Sequence, residues 1–148
     1  MIVDDVPYRA NINGMDALHK GIEMDFAYKF FNNLGLEGLI SLGDWTWKSA
    51  DTVRFLDDNN NPITDDFGNE IIATFDAEGV HVGDAAQTQF GLSIRFEPTY
   101  NSYIKLRGTH FDNYYSDFDP LSLNGSNSGR ESWKIPAYNL VDLHAGYK

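Results

Sequence analysis

The chain has 148 residues, no cysteine, 42% hydrophobic and 14% aromatic side chains, and a formal net charge of -11. This apolar content excludes wholesale disorder, the acidic balance argues against a nucleic-acid partner, and the lack of thiols excludes disulfides and thiolate metal sites. No window approaches the ~20 apolar residues of a spanning helix, whereas a transmembrane strand needs only about 9 to 11.

Met1-Ile2-Val3-Asp4-Asp5-Val6-Pro7 has neither a basic n-region nor an apolar h-region, so these residues are not expected to be a secretory signal. The first strong element is a strand from His19 to Phe30, where Ile22, Met24, Phe26, Tyr28 and Phe30 alternate with Glu23, Asp25, Ala27 and Lys29. Successive side chains of a strand point to opposite faces, so this ribbon has one apolar and one wet side. Asn32-Asn33-Leu34-Gly35 suits a tight hairpin turn. The strand after it, Leu36 to Trp47, is less regular: Leu36, Ile40 and Leu42 share a face, and Leu39 falls with Glu37 and Ser41.

Ser49 to Gly79 is far longer than a hairpin loop of about 2 to 5 residues. Val53 to Leu56 and Ile71 to Phe75 are expected to form a small hairpin in it, with Asp57 to Asp66 in the tip. Between Asp51 and Asp84 lie Asp57, Asp58, Asp65, Asp66, Glu70, Asp76 and Glu78, with Arg54 the only Lys or Arg. Hard cations favour such surfaces, yet Asp58-Asn59-Asn60-Asn61-Pro62 lacks the glycine turn and spaced Glu of an EF-hand loop. A solvated outer loop is expected, with no metal.

Alternation returns at Phe90, Leu92, Ile94 and Phe96, set against Gln89, Gly91, Ser93, Arg95 and Glu97. Glu97 to Ser102 is a second short connection, followed by Ile104 and Leu106 against Lys105 and Arg107. A second long connection runs from Ser116 to Pro136. The chain closes with Val141, Leu143, Ala145 and Tyr147 alternating with Leu140, Asp142, His144, Gly146 and Lys148.

Short turns on one side and long loops on the other form the pattern of an outer-membrane barrel, with short periplasmic turns and long extracellular loops. The aromatics fit two girdles. Phe30, Phe31, Phe96, Tyr100, Tyr103 and Tyr147 fall toward the short-turn end, and Trp45, Trp47, Tyr114, Tyr115, Trp133 and Tyr138 toward the long-loop end. An odd set of about five strands leaves edges that lipid does not tolerate, so the chain is expected to be part of a larger barrel. The competing expectation is a soluble β-sandwich module, binding carbohydrate, in which the apolar rows form a core.

Three stretches carry a family resemblance: Asn11 to Asp25, with Gly21-Ile22-Glu23 opening its strand; Val82 to Gln89; and Trp133 to Tyr147. In this order, with these hairpins between them, the chain resembles the late part of a TonB-dependent outer-membrane receptor barrel. The resemblance implies an all-β antiparallel transmembrane barrel segment over residues 1–148, with the family's plug domain and terminal strands absent. It further implies import of a ligand such as an iron-siderophore, cobalamin or carbohydrate. The implied partners are outer-membrane lipid, the imported small ligand and the TonB energy-coupling protein, the last through N-terminal parts not among these residues.

Nothing points to catalysis. His19, His81, His110 and His144 lack the spacing of a helical zinc site, and there is no nucleophile elbow or phosphate loop. No catalytic residue and no cofactor is expected, and the chain is read as not an enzyme. Ligand contact is expected from Trp45, Trp47, Asp84, Tyr115, Arg130 and Trp133, because aromatics stack on sugars or chelates and an arginine meets a carboxylate. Glu23, Asp25, Lys29, Arg95, Glu97, Lys105 and Arg107 are expected to face the lumen, paired across strands or wet.

Overall fold

Period-two alternation becomes an antiparallel sheet in the computed structural model, which describes residues 2–3, 6–7, 15–57 and 61–147. Asn11–Gly14 of the first resemblance segment and Asp58–Asn60 of the acidic loop lie outside the described residues. The strands are β1 (Ile2–Val3), β2 (Val6–Pro7), β3 (Ala17–Phe31), β4 (Leu34–Trp47), β5 (Ala50–Arg54), β6 (Ile72–Asp76), β7 (Ala86–Thr99), β8 (Ser102–Tyr115), β9 (Lys134–Ile135) and β10 (Tyr138–Tyr147). Two single-turn 3₁₀ helices, Pro120–Ser122 and Gly125–Asn127, are the only helical pieces among the described residues. The protein is all-β.

Two units are distinguishable: Met1–Leu18 with Thr46–His81 and Phe118–Glu131, and His19–Trp45 with Val82–Asp117 and Ser132–Lys148. The second holds the large sheet, in the order β10-β8-β7-β4-β3, with β9 also paired to β8. Asn32–Asn33 and Tyr100–Asn101 are the tight turns, as their polar, turn-prone composition requires. Near the second, Phe96 pairs with Ile104 but Thr99 with Ser102, so β7 carries one extra residue. Pro98 lies in that bulge, where its missing N–H costs no ladder bond. Pro136 similarly separates β9 from β10, both partners of β8. The sheet is open, with β3 and β10 at its edges.

Register puts the apolar rows on one face. Leu36 lies beside Ile94, Ile94 beside Leu106 and Leu106 beside Leu143. Phe26 joins this face: its ring occupies the space that a side chain on Gly38 would need. Most of these apolar side chains are exposed, with Ile22 at 71%, Leu143 at 72% and Val141 at 73%, whereas Leu36 and Ile40 of β4 are half-buried. On the other face Ser93 and Thr109 are each only 6% exposed. Burial is thus inverted relative to a water-soluble sheet, in which the apolar face forms the core.

Tyr138, paired with Phe111, and two more of the expected girdle aromatics lie on the polar face instead. The Arg95 guanidinium lies 3.9 Å over the Tyr103 ring, and Tyr103 also fills the space above Gly146. Trp45 stacks on His19, with ring centroids 5.1 Å apart and an interplanar angle of 16°. Both rings are at odd positions, which their strands turn toward the charged row.

The other unit has a conventional core. Phe75, Ala77, Val80 and Leu123 are buried together, with Met15, Trp47, Val53 and Phe118 packed against them. The expected hairpin is present as β5 and β6, pairing Ala50 with Asp76 and Arg54 with Ile72. Its connection is more ordered than an open tip, since Leu56 bridges Pro62 and Thr64 bridges Glu70. Asp76 anchors the Phe118–Glu131 segment. Its N–H donates to the Leu123 carbonyl (2.8 Å), its carbonyl accepts from Gly129 (2.9 Å), and its carboxylate accepts from the Ser128 hydroxyl (2.6 Å).

Leu123→Ala should remove about 2 to 5 kcal/mol from this unit, read from its denaturant or thermal midpoint, by loss of transfer energy and the cavity left behind. The Ser128 hydroxyl, followed by the Glu78 N–H, holds the Asp76 carboxyl below its ordinary value. A depressed carboxylate stabilises above its unfolded value and loses that contribution as pH falls through its folded value. The melting temperature should therefore fall on acidification below about pH 4, and Asp76→Asn should fall less over the same range while starting lower at neutral pH.

Candidate functional site

The polar face of the large sheet gathers most of the unit's charge. Lys105 on β8 reaches past the small Ser93 of β7 to pair with Glu37 on β4, and the Ser93 hydroxyl donates to the same carboxylate at 3.5 Å. Arg95 Nε donates to Glu97 at 2.8 Å, with Lys29 Nζ 4.0 Å from the other Glu97 oxygen. The Ser41 hydroxyl donates to Glu23 at 3.2 Å. Lys105 and Lys29 thus reach carboxylates on other strands, whereas Arg95 and Glu97 pair within β7. Two recesses of about 250 Å³ open on it, one lined by Asp25, Glu37, Ser93 and Arg107 and the other by Lys29, Asn33, Arg95 and Glu97.

Toward the long-loop end lies a recess of about 340 Å³ lined by His19, Lys20, Glu23, Ser41, Gly43 and Trp45. Its wall is pinned by Gln87, which is 1% exposed. The Gln87 amide nitrogen donates to the carbonyls of Trp45 (3.1 Å) and Val82 (3.2 Å), and its oxygen accepts the Trp45 N–H at 2.8 Å. One amide therefore satisfies three backbone groups and fixes where the Trp45 indole stands. Residue-by-residue reading missed it, because Gln87 carries no periodicity or motif that marks a buried amide.

The six residues expected to meet ligand are divided between the two units. In the sheet unit, Asp84 has φ 65° and its N–H donates to the Tyr115 carbonyl at 3.1 Å, while Ser116 donates to the Trp133 carbonyl at 2.9 Å. Backbone bonding thus draws Asp84, Tyr115 and Trp133 together, and Val82 ties Trp45 to the same strand ends at 2.9 Å. Tyr115 is buried and Trp133 is exposed. Trp47 and Arg130 belong to the other unit. Trp47 packs edge-on against Phe118 (6.4 Å, 88°) beside its core, whereas Arg130 is exposed.

No family model, curated protein or solved structure matches this chain.

Two carboxylates of the acidic loop are engaged by its own turns. Asp57 accepts the Asn61 N–H at 2.8 Å, and Asp65 accepts those of Phe67 (2.9 Å) and Asn69 (2.8 Å). His81 is clamped by Glu131, which accepts from its backbone N–H at 3.1 Å and meets its Nδ1 at 2.5 Å. Among the described residues no three His, Cys, Asp or Glu side chains are placed to hold a metal ion.

Gln87→Leu keeps the volume but strands the Trp45 N–H and two carbonyls. It should cost about 1 to 3 kcal/mol and red-shift the fluorescence of Trp45 as the indole loses its fixed position. Gln87→Glu should retain part of the effect through the bond from the Trp45 N–H.

Proposed function

We propose that this chain is a section of wall from an outer-membrane β-barrel of the TonB-dependent receptor type, in a protein that imports a ligand such as an iron-siderophore, cobalamin or carbohydrate. The observation that carries the reading is the inverted burial of the large sheet. Its apolar face is exposed on β3, β7, β8 and β10 and half-covered on β4, and its polar face is tied by ion pairs. Each apolar side chain left in water forgoes about 1.5 to 3 kcal/mol of burial, so a face of this size needs an apolar solvent. In β3 the row from Ile22 to Phe30 spans roughly 27 Å at the usual rise per strand residue. At the usual barrel tilt that covers roughly 20 Å of membrane, close to the lipid-facing band of an outer-membrane barrel.

Lipid would meet that face, and the polar face would line the lumen, with the His19–Trp45 recess toward the outside as the place for ligand contact. The TonB energy-coupling protein would act through other parts of the receptor. A soluble carbohydrate-binding sandwich needs Ile22, Phe26, Phe90, Ile94, Leu143 and Tyr147 in a common core, and all six are exposed.

The lack of native cysteine makes single labels clean. Leu92→Cys and Ser93→Cys, each carrying a polarity-sensitive fluorophore in lipid vesicles, should report hydrocarbon at the first position and water at the second. Without lipid or detergent the chain should aggregate. A detergent-free monomer with a cooperative melt, or equal polarity at the two labels, would sink the membrane reading.

A further inference from the structure

The segment from Phe118 to Glu131 is bonded to β6 at Asp76 and then parts from it. Asp76 gives its N–H to the Leu123 carbonyl and its carbonyl to the Gly129 N–H, so these groups point away from β5. Alternate residues of a strand send their backbone groups to opposite sides, and the Ile71 carbonyl accepts from Phe55, on the β5 side. Ile72 and Thr74 therefore point the same way as Asp76. Neither has a backbone partner on that side among the described residues.

In front of them opens a recess of about 570 Å³, with Ile72 and Thr74 on one side and Asp119, Leu121, Ser122 and Asn124 on the other. The far wall is committed to its own turns. Asp119 accepts the Leu121 N–H at 3.0 Å, the Ser122 N–H donates to the Asp119 carbonyl at 2.9 Å, and the Asn124 side-chain amide donates to the Leu121 carbonyl at 2.7 Å. Both walls belong to one unit, so the slot is formed within it.

We infer that this slot binds an extended, basic segment of another polypeptide, which adds a strand to the free edge of β6 beside Ile72 and Thr74.

Donors and acceptors repeating at strand spacing match the backbone of an extended peptide, and pockets for its side chains supply selectivity. A rounded small ligand would meet the same groups without matching their repeat. The side chain of Ile72 is 53% exposed and offers apolar contact. Asp119 is the one charged residue among those lining the slot, and its cap bond uses a single carboxylate oxygen. A lysine or arginine on the peptide gains a partner there, whereas an acidic side chain meets none. The nearby hairpin is acidic as well: from Asp51 to Glu78 the only Lys or Arg is Arg54, which already pairs with Glu70 at 3.4 Å. The free edge is short, which suits one short segment rather than open-ended strand pairing. The inference goes beyond the membrane reading and does not rest on it, since that reading concerns the sheet unit.

The probe is a capped hexapeptide alternating threonine and lysine, added to the full chain in detergent. Hydrogen exchange at the Ile72 and Thr74 amides should slow at least fivefold at about 1 mM peptide, with no change at Phe75, whose N–H is turned to β5. The glutamate counterpart, and the lysine peptide with its backbone amides N-methylated, should each bind at least fivefold more weakly. Thr74→Pro removes an edge donor where proline spares the β5 ladder, and should also weaken binding at least fivefold. Asp119→Asn keeps a capping oxygen and should reduce the preference for lysine over glutamate, which provides the test if Thr74→Pro loses strand content by circular dichroism. No protection at Ile72 and Thr74, equal binding of the N-methylated peptide, or indifference to both variants would overturn the assignment. Equal protection by the lysine and glutamate peptides would overturn the basic partner. The membrane reading is scored separately by the Leu92 and Ser93 labels, so either can fail alone.

Discussion

The register of the long antiparallel ladder is the constraint on which the rest of the large sheet depends. Backbone pairing fixes which residue lies beside which, and a shift of one residue in any strand would move its whole apolar row to the opposite face. Here the ladder keeps parity from β4 through β7 and β8 to β10. Leu36, Ile94, Leu106 and Leu143 form one transverse row, and Glu37, Ser93, Arg107 and Asp142 form the next, on the other face. The one irregularity, at Pro98, falls beyond Phe96, where the apolar row has ended. A bulge inside the row would have divided it between two faces.

The ion pairs of the polar face do not hold this sheet together. Exposed pairs are worth about 0 to 1 kcal/mol each, and those here leave their partners substantially wet. Their effect is on specificity. Lys105 reaches Glu37 only because a small Ser93 lies between them, and Arg95 is held by Glu97 on one side and stacked on Tyr103 on the other. The charged row thus prefers one alignment of β4, β7 and β8. Where two glycines would weaken the ladder, an aromatic neighbour covers the gap: Phe26 over Gly38 on the apolar face and Tyr103 over Gly146 on the polar one.

Much of this was legible in the sequence, because period-two alternation and turn chemistry are local. The strand from His19 to Phe30, the Asn32–Asn33 turn and the placement of Leu39 among polar neighbours need only residue order. What was not legible depends on contacts distant along the chain. Tyr103 and Trp45 looked like membrane-interface aromatics from their places near strand ends, but which face they take is set by parity relative to the charged row. The amide of Gln87 acts on Trp45, 42 residues away. Asp76 gathers Leu123, Ser128 and Gly129 from a segment whose sequence is dominated by turn-forming residues. The site is legible to a smaller degree than the fold for the same reason: Trp47 shares residue type with Trp45 and Trp133 but belongs to another unit.

Within one chain the hydrophobic effect is met in two ways. One unit turns Phe75, Val80 and Leu123 inward, to 1 to 4% exposure, in a core of the kind that water drives together. The sheet unit leaves Ile22, Leu92, Ile94 and Leu143 outside and covers Ser41, Ser93 and Thr109 instead. Length and composition do not require this division, since alternating strands of this kind could equally have packed face to face. The difference lies in what each segment offers as a second layer. Trp47, Val53 and Phe118 supply one around Phe75. On the sheet's polar face the inward positions are taken by serine, threonine, glycine and paired charges, which cannot form an apolar layer. Among the described residues of its own unit the sheet's apolar face has no second layer, which makes the chemistry of its surroundings, rather than its own packing, the determinant of its stability.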